Sequence, residues 1–154
     1  MKLHNIDQAL ENCRSHLASA QAANTPVESY LTRYLIVYIC ACFEEEIENI
    51  VLQRVRVSND AKVSGFAESC LSQIFRSIKT SEISGLLNRF DVKCKDSFQS
   101  NVSGTRQETF YNNIVTNRHE VAHTKSLNIN FSDLVMYYEE AHKILDQIAI
   151  ALNA

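Results

Sequence analysis

Hydrophobic residues recur along this chain at alternating intervals of three and four, the spacing that lays side chains along one face of a helix. Leu3, Ile6, Leu10, Cys13, Leu17 and Ala20 form the first such stripe. Asn24-Thr25-Pro26 interrupts it: Thr25 suits the cap of a second helix and Pro26 its first position. From Tyr30 through Val51 the apolar positions continue at helical spacing as far as Ser58-Asn59-Asp60, which predicts a helix of about thirty residues, roughly 45 Å long. A third helix is expected over Ala61 to Ile78, with Phe66, Cys70, Ile74, Phe75 and Ile78 on its apolar side. Ser81 is placed to cap a short fourth helix carrying Ile83, Leu86, Leu87 and Phe90. Asp91 to Gly104 is polar and aperiodic and reads as a loop. A further helix is expected from Thr105 to His123, then a connector over Leu127 to Phe131. Ser132 would cap a last helix through Leu134, Tyr138, Leu145 and Leu152. The alternation of Leu127, Ile129 and Phe131 has no second strand to pair with. These elements predict an all-α fold, one helical domain over residues 1–154 built as a bundle of about five to six helices.

Composition narrows the picture further. Three Gly and one Pro in 154 residues are too few for the turns of an all-β sandwich or barrel. The longest apolar run, Leu35 to Phe43, is about half of the ~20 residues that a membrane span needs. Lys2 leads into a polar helix and not into the apolar core of a signal peptide, so no membrane association is expected. Five cysteines, an odd number without a Cys-x-x-Cys pair, argue against disulfide scaffolding and structural zinc, and a reducing cytoplasm is the expected setting. The net charge of −3 is uneven: residues 1–50 carry −4, residues 51–125 carry +4, and residues 126–154 carry −3. A positive middle can attract a phosphate backbone, with Arg76, Lys79, Arg89, Arg106 and Lys125 as candidate contacts; a solvated face with scattered charge is the plainer reading.

Two of the five histidines fall in Asn117-Arg118-His119-Glu120-Val121-Ala122-His123, where two motifs overlap. One is His-Glu-x-x-His. Histidines four apart lie about 40° apart around a helix, so His119 and His123 can share a zinc ion with Glu120 as general base. That zinc hydrolase needs a third ligand, for which only Glu139 or Glu140 offers itself, and an edge strand to hold a peptide.

The other motif is Arg-x4-His, Arg118 to His123, with the polar His119 directly after the arginine. Here the sequence resembles the HEPN superfamily, whose signature is an Arg, a polar residue and a His four to six positions after the Arg near a helix end. Phe43-Glu44 on the second helix is similar to the aromatic–Glu pair of RiboL-PSP-type HEPN proteins, and Ser132-Asp133-Leu134 opens the final helix as in many members. The resemblance implies a metal-independent endoribonuclease that acts as a homodimer on RNA without a cofactor, often as the toxin of a toxin–antitoxin or phage-defence system with a protein antitoxin or other partner. It also admits a non-catalytic HEPN module that only binds nucleotides or partners, although the chain keeps both motif residues. Carried onto this chain, Arg118 and His123 are the candidate catalytic residues, His119 helps position phosphate, and Glu44 orients Arg118.

The chemistry suits those residue types. A near-neutral imidazole at His123 can take a proton from a ribose 2′-OH and give one to the leaving 5′ oxygen. The Arg118 guanidinium supplies fixed donors for charge on the phosphorane oxygens. Structural roles compete: His123 as a cation at a helix C-terminus, Arg118 in an ion pair with Glu44, Glu45 or another acid, and Glu44 as one member of the solvated run Glu44-Glu45-Glu46. Tyr30, Tyr34, Tyr38, Tyr137 and Tyr138 could stack bases, or serve as core or dimer surface. Residues five apart on a regular helix diverge by about 140°, so Arg118 and His123 of one chain do not easily meet at one phosphate. Two motif helices packed antiparallel about a two-fold axis would bring Arg118 of each chain towards His123 of the other.

Overall fold

A computed structural model describes residues 3–74, 78–123, 127 and 129–153; within helix residues 72–74 only the backbone is described. The expected members Ile74, Phe75 and Arg76, and the expected contact Lys125, thus have no described side chain. Every element among the described residues is an α-helix: α1 (His4–Ser19), α2 (Pro26–Arg56), α3 (Ala61–Ile74), α4 (Thr80–Asn88), α5 (Val92–Val102), α6 (Arg106–Ala122), α7 (Phe131–Ala141) and α8 (Lys143–Leu152). The all-α reading holds, with more helical segments than the five or six expected.

The two extra segments have separate causes. The expected loop over Asp91–Gly104 is α5: Asp91 caps it by accepting from the Lys93 N–H at 2.8 Å, and Gly104, at φ 75°, follows its end. Its buried side chains, Cys94, Phe98 and Val102, fall four residues apart and make a stripe too narrow to stand out in a polar segment. The expected last helix is bent at His142, which keeps helical angles (φ −59°, ψ −21°) between α7 and α8. Leu145 N–H there reaches the His142 carbonyl, a tightened turn that swings α8 onto α2 and α5.

Two of the expected caps are displaced, and a third keeps its position without the side-chain bond. Thr25 stands at the N-cap of α2 but its hydroxyl donates back to the Ala22 carbonyl at 2.6 Å. Lys79, not Ser81, is the N-cap of α4; its N–H is satisfied by the Glu82 carboxylate at 2.8 Å. Thr80, now in the helix, is buried, and its hydroxyl donates to Glu108 of α6 at 3.1 Å. At α7 the cap is Asn130, whose side chain accepts from the Asp133 N–H while Asp133 accepts from the Asn130 N–H. That reciprocal pair satisfies two orphan donors where Ser132 would satisfy one.

The core gathers around α2, whose buried side includes Leu35, Ile39, Phe43, Ile47 and Val51. Phe43 is its centre, stacked on Tyr111 of α6 at 5.6 Å between ring centroids and on Tyr138 of α7 at 6.2 Å. Glu28 on the first turn of α2 fastens the same end. Its carboxylate accepts from Asn24 N–H at 2.6 Å and from Phe131 N–H at 3.1 Å, tying the α1–α2 corner to the start of α7. Phe66, expected on the buried side of α3, is 73% exposed. Helix α3 packs chiefly on α2, so Phe66 forms the lip of a shallow apolar groove and Leu71 its floor.

Candidate functional site

Helix α6 is built to present its last turn. Thr105 caps its start by accepting from the Glu108 N–H, and Tyr111, Ile114 and Val115 bury one side against the core. Phe110 fixes another side by stacking on Tyr137 of α7 at 4.7 Å. Held along this length, the helix ends at Ala122 and leaves His123 as its C-cap, at φ −99° and ψ 17°. The His123 N–H is shared between the carbonyls of His119, at 3.2 Å, and Glu120, at 3.1 Å, the bifurcated bond typical of a helix end.

The motif side chains part at this end. Arg118 follows Tyr111 and Ile114 on the core-facing side and is half-buried; His119 and His123 are exposed. Arg118 therefore turns towards α2, and His123 projects from the helix end about 140° further round.

What Arg118 meets on α2 is visible in the electrostatics of Cys40. Burial pushes the Cys40 thiol up to about 12; the Glu44 carboxylate pushes in the same direction and the Arg118 guanidinium opposes both. One buried thiol thus lies within the field of both candidate residues, Glu44 on its own helix and Arg118 on α6. The same locus reaches Tyr111, whose hydroxyl is raised by burial first and then by Cys40 and Glu44. That hydroxyl is spent structurally, donating to the Ile78 carbonyl at 3.0 Å. Held as a neutral thiol, Cys40 is no nucleophile at physiological pH. Its place was readable from the sequence, because residues four apart share a helix face and Cys40 precedes Glu44 by four.

The remaining candidates are scattered. Among the described residues no three His, Cys, Asp or Glu gather in a way that could hold a metal ion, so His119 and His123 have no third donor there. Glu140, one of the two candidate third ligands, accepts from the Lys143 ammonium at 2.7 Å, and that hydrogen bond holds its carboxyl below the usual range. Of the basic candidates, Lys79 precedes α4, Arg89 caps its far end, and Arg106 lies over the Phe110 ring at 5.1 Å. Arg106 begins α6 about 18 Å along the axis from Arg118, at 1.5 Å per residue. Of the five candidate tyrosines, Tyr138 is in the core, Tyr137 is packed on Phe110 and Tyr38 is half-buried, whereas Tyr30 and Tyr34 are exposed. No helix among the described residues is long and apolar enough to cross a membrane.

Against this geometry stand the comparisons with known proteins. A family model described as RiboL-PSP-HEPN matches residues 2–154. No curated protein and no solved structure matches the chain.

Proposed function

The chain belongs to the RiboL-PSP-type HEPN family, and from that membership we propose that it is a metal-independent endoribonuclease, working as one unit over its length. The observation that carries the reading is the end of α6. It offers a half-buried arginine within the field of the same α2 thiol as Glu44 and, on the next turn, an exposed histidine. His123 takes the proton of a ribose 2′-OH as that oxygen attacks the adjacent phosphorus, and returns a proton to the departing 5′ oxygen. Arg118 holds the phosphorane oxygens, Glu44 orients Arg118 from α2, and His119 contacts phosphate from the exposed side. The products are a 2′,3′-cyclic phosphate and a 5′-OH. A homodimer in which each site takes Arg118 from one chain and His123 from the other answers the divergence of the two side chains. Within the family's range we place the protein as the toxin of a toxin–antitoxin or defence system.

Purified protein incubated with total RNA and excess EDTA is expected to cleave it, leaving cyclic phosphate ends. Activity that EDTA abolishes and zinc restores would replace this reading by the His119–His123 metal site. Binding without cleavage under all conditions would favour the non-catalytic HEPN module.

RNA affinity should also fall with salt, by about 0.7 log units per contacted phosphate for each log unit of salt on a single strand. Titration of a fluorescent oligonucleotide across salt concentrations measures this. A flat response means that the positive middle segment, Lys79, Arg89 and Arg106 included, does not touch phosphate.

A further inference from the structure

Helix α2 carries more apolar surface than the core uses. Opposite the side that buries Ile39 and Phe43, Val27, Tyr30, Tyr34 and Val37 are 41%, 69%, 58% and 43% exposed, and Ala41 continues the series. These positions alternate spacings of three and four, and Glu44 and Glu48 extend the same pattern. This is the spacing of an a/d stripe, on a helix of 31 residues whose core-facing side is already buried. Tyr34 is further held by stacking on Tyr38 at 5.9 Å.

We infer that this stripe is the seam between two copies of the chain, with the two α2 helices packed antiparallel about a two-fold axis. The occupant follows from self-complementarity. In the antiparallel register that sets Tyr34 against Val37 of the partner subunit, each large residue meets a small one: Tyr30 lies opposite Ala41, and Ala41 opposite Tyr30. The same register lays Glu44 beside Val27, in the first turn of the other copy's α2. There the Glu44 carboxylate faces the positive end of a helix dipole. A parallel pairing would stack Tyr30 on Tyr30 and set the like charges of Glu44 and Glu48 against themselves. The strip from Val27 to Glu44 is about 26 Å long and roughly one helix diameter, ~10 Å, wide. It is smaller than the ~800 Å² per partner that a stable interface buries. Flanking surface must complete the contact, and Glu44 closes the stripe on the flank that leads round α2 to Cys40, one turn before it.

The inference rests on the proposed homodimer and names its surface. It is tested without RNA, so the seam and the ribonuclease activity can fail separately. In a Cys13→Ser/Cys70→Ser background, which leaves only buried native thiols, Tyr30→Cys and Ala41→Cys proteins are mixed and oxidised mildly. The mixture should form a disulfide-linked dimer and neither protein alone should. In the antiparallel register Tyr30 and Ala41 are opposite one another, whereas two copies of the same position are about 16 Å apart along the axis. Tyr30→Lys/Tyr34→Lys should sediment as a monomer at concentrations where wild type is a dimer, with unchanged helical circular dichroism. Cross-linking of Tyr30→Cys to itself, a dimer that survives the double lysine variant, or a wild-type monomer at 100-micromolar-scale concentration would each overturn the seam. A wild-type protein that cleaves RNA while pairing through another face overturns the seam and leaves the ribonuclease reading standing.

Discussion

Arg118→Ala and His123→Ala are each expected to remove RNA cleavage, a loss on the order of 10²–10⁴-fold for the acid–base group His123 and about 10²–10³-fold for the charge-stabilising Arg118, yet an equal mixture of the two variants should regain part of it. Neither side chain belongs to the core, since His123 is exposed and Arg118 only half-buried, so both variants should keep the wild-type circular dichroism. The recovery follows from composite sites. In a mixed dimer one site holds an intact Arg118 and an intact His123 from opposite chains, and the other holds neither. Random exchange makes about half of the dimers mixed, each with one working site of two, so about a quarter of wild-type activity should return. The rate is measured on a fluorescent RNA after subunits have exchanged. No recovery despite proven exchange means that the two residues act within one chain or that every site needs all four. A fully active monomer at nanomolar concentration would dispose of the shared site altogether.

Phe43→Ala is expected to cost about 3–5 kcal/mol of folding stability, the range for emptying a buried aromatic site. The ring is 2% exposed and stacks on both Tyr111 and Tyr138, so its loss opens a cavity at the junction of α2, α6 and α7. Against a total stability of about 5–15 kcal/mol, such a loss removes a large share of the margin. Urea unfolding followed by circular dichroism measures it, and Phe43→Leu, which keeps most of the volume, should lose markedly less. A Phe43→Ala midpoint within error of wild type would show that the three rings do not hold these helices together. The residue also has a bearing on the site. Phe43 fixes the rotation of α2, and with it the direction of Glu44, one position on and about 100° round.

Periodicity alone set the helices that carry a wide apolar stripe. Leu3 to Leu17, the long run from Pro26, and the stretch from Thr105 to His123 each repeat their spacing over several turns, and helical periodicity needs no tertiary partner to be read. The pair Arg118 and His123 was legible in the same way, since its residue types and spacing are local. What escaped was decided between elements. Asp91 to Gly104 folds as α5 because Cys94, Phe98 and Val102 find α4 and α8 to bury against; three apolar residues among eleven become a helix only when that surface is offered. Ser81 and Ser132 lost their caps to Lys79 and Asn130 because Thr80 is drawn into a hydrogen bond with α6 and because Asn130 and Asp133 satisfy one another. Periodicity also could not tell which of two apolar faces of α2 would be buried. Phe43 and Tyr34 obey the same spacing rule, yet one lies at the centre of the core and the other is in solvent. Only the packing of α6 and α7 on one side chose between them, because burial is a property of the surface a side chain meets and not of the residue that carries it.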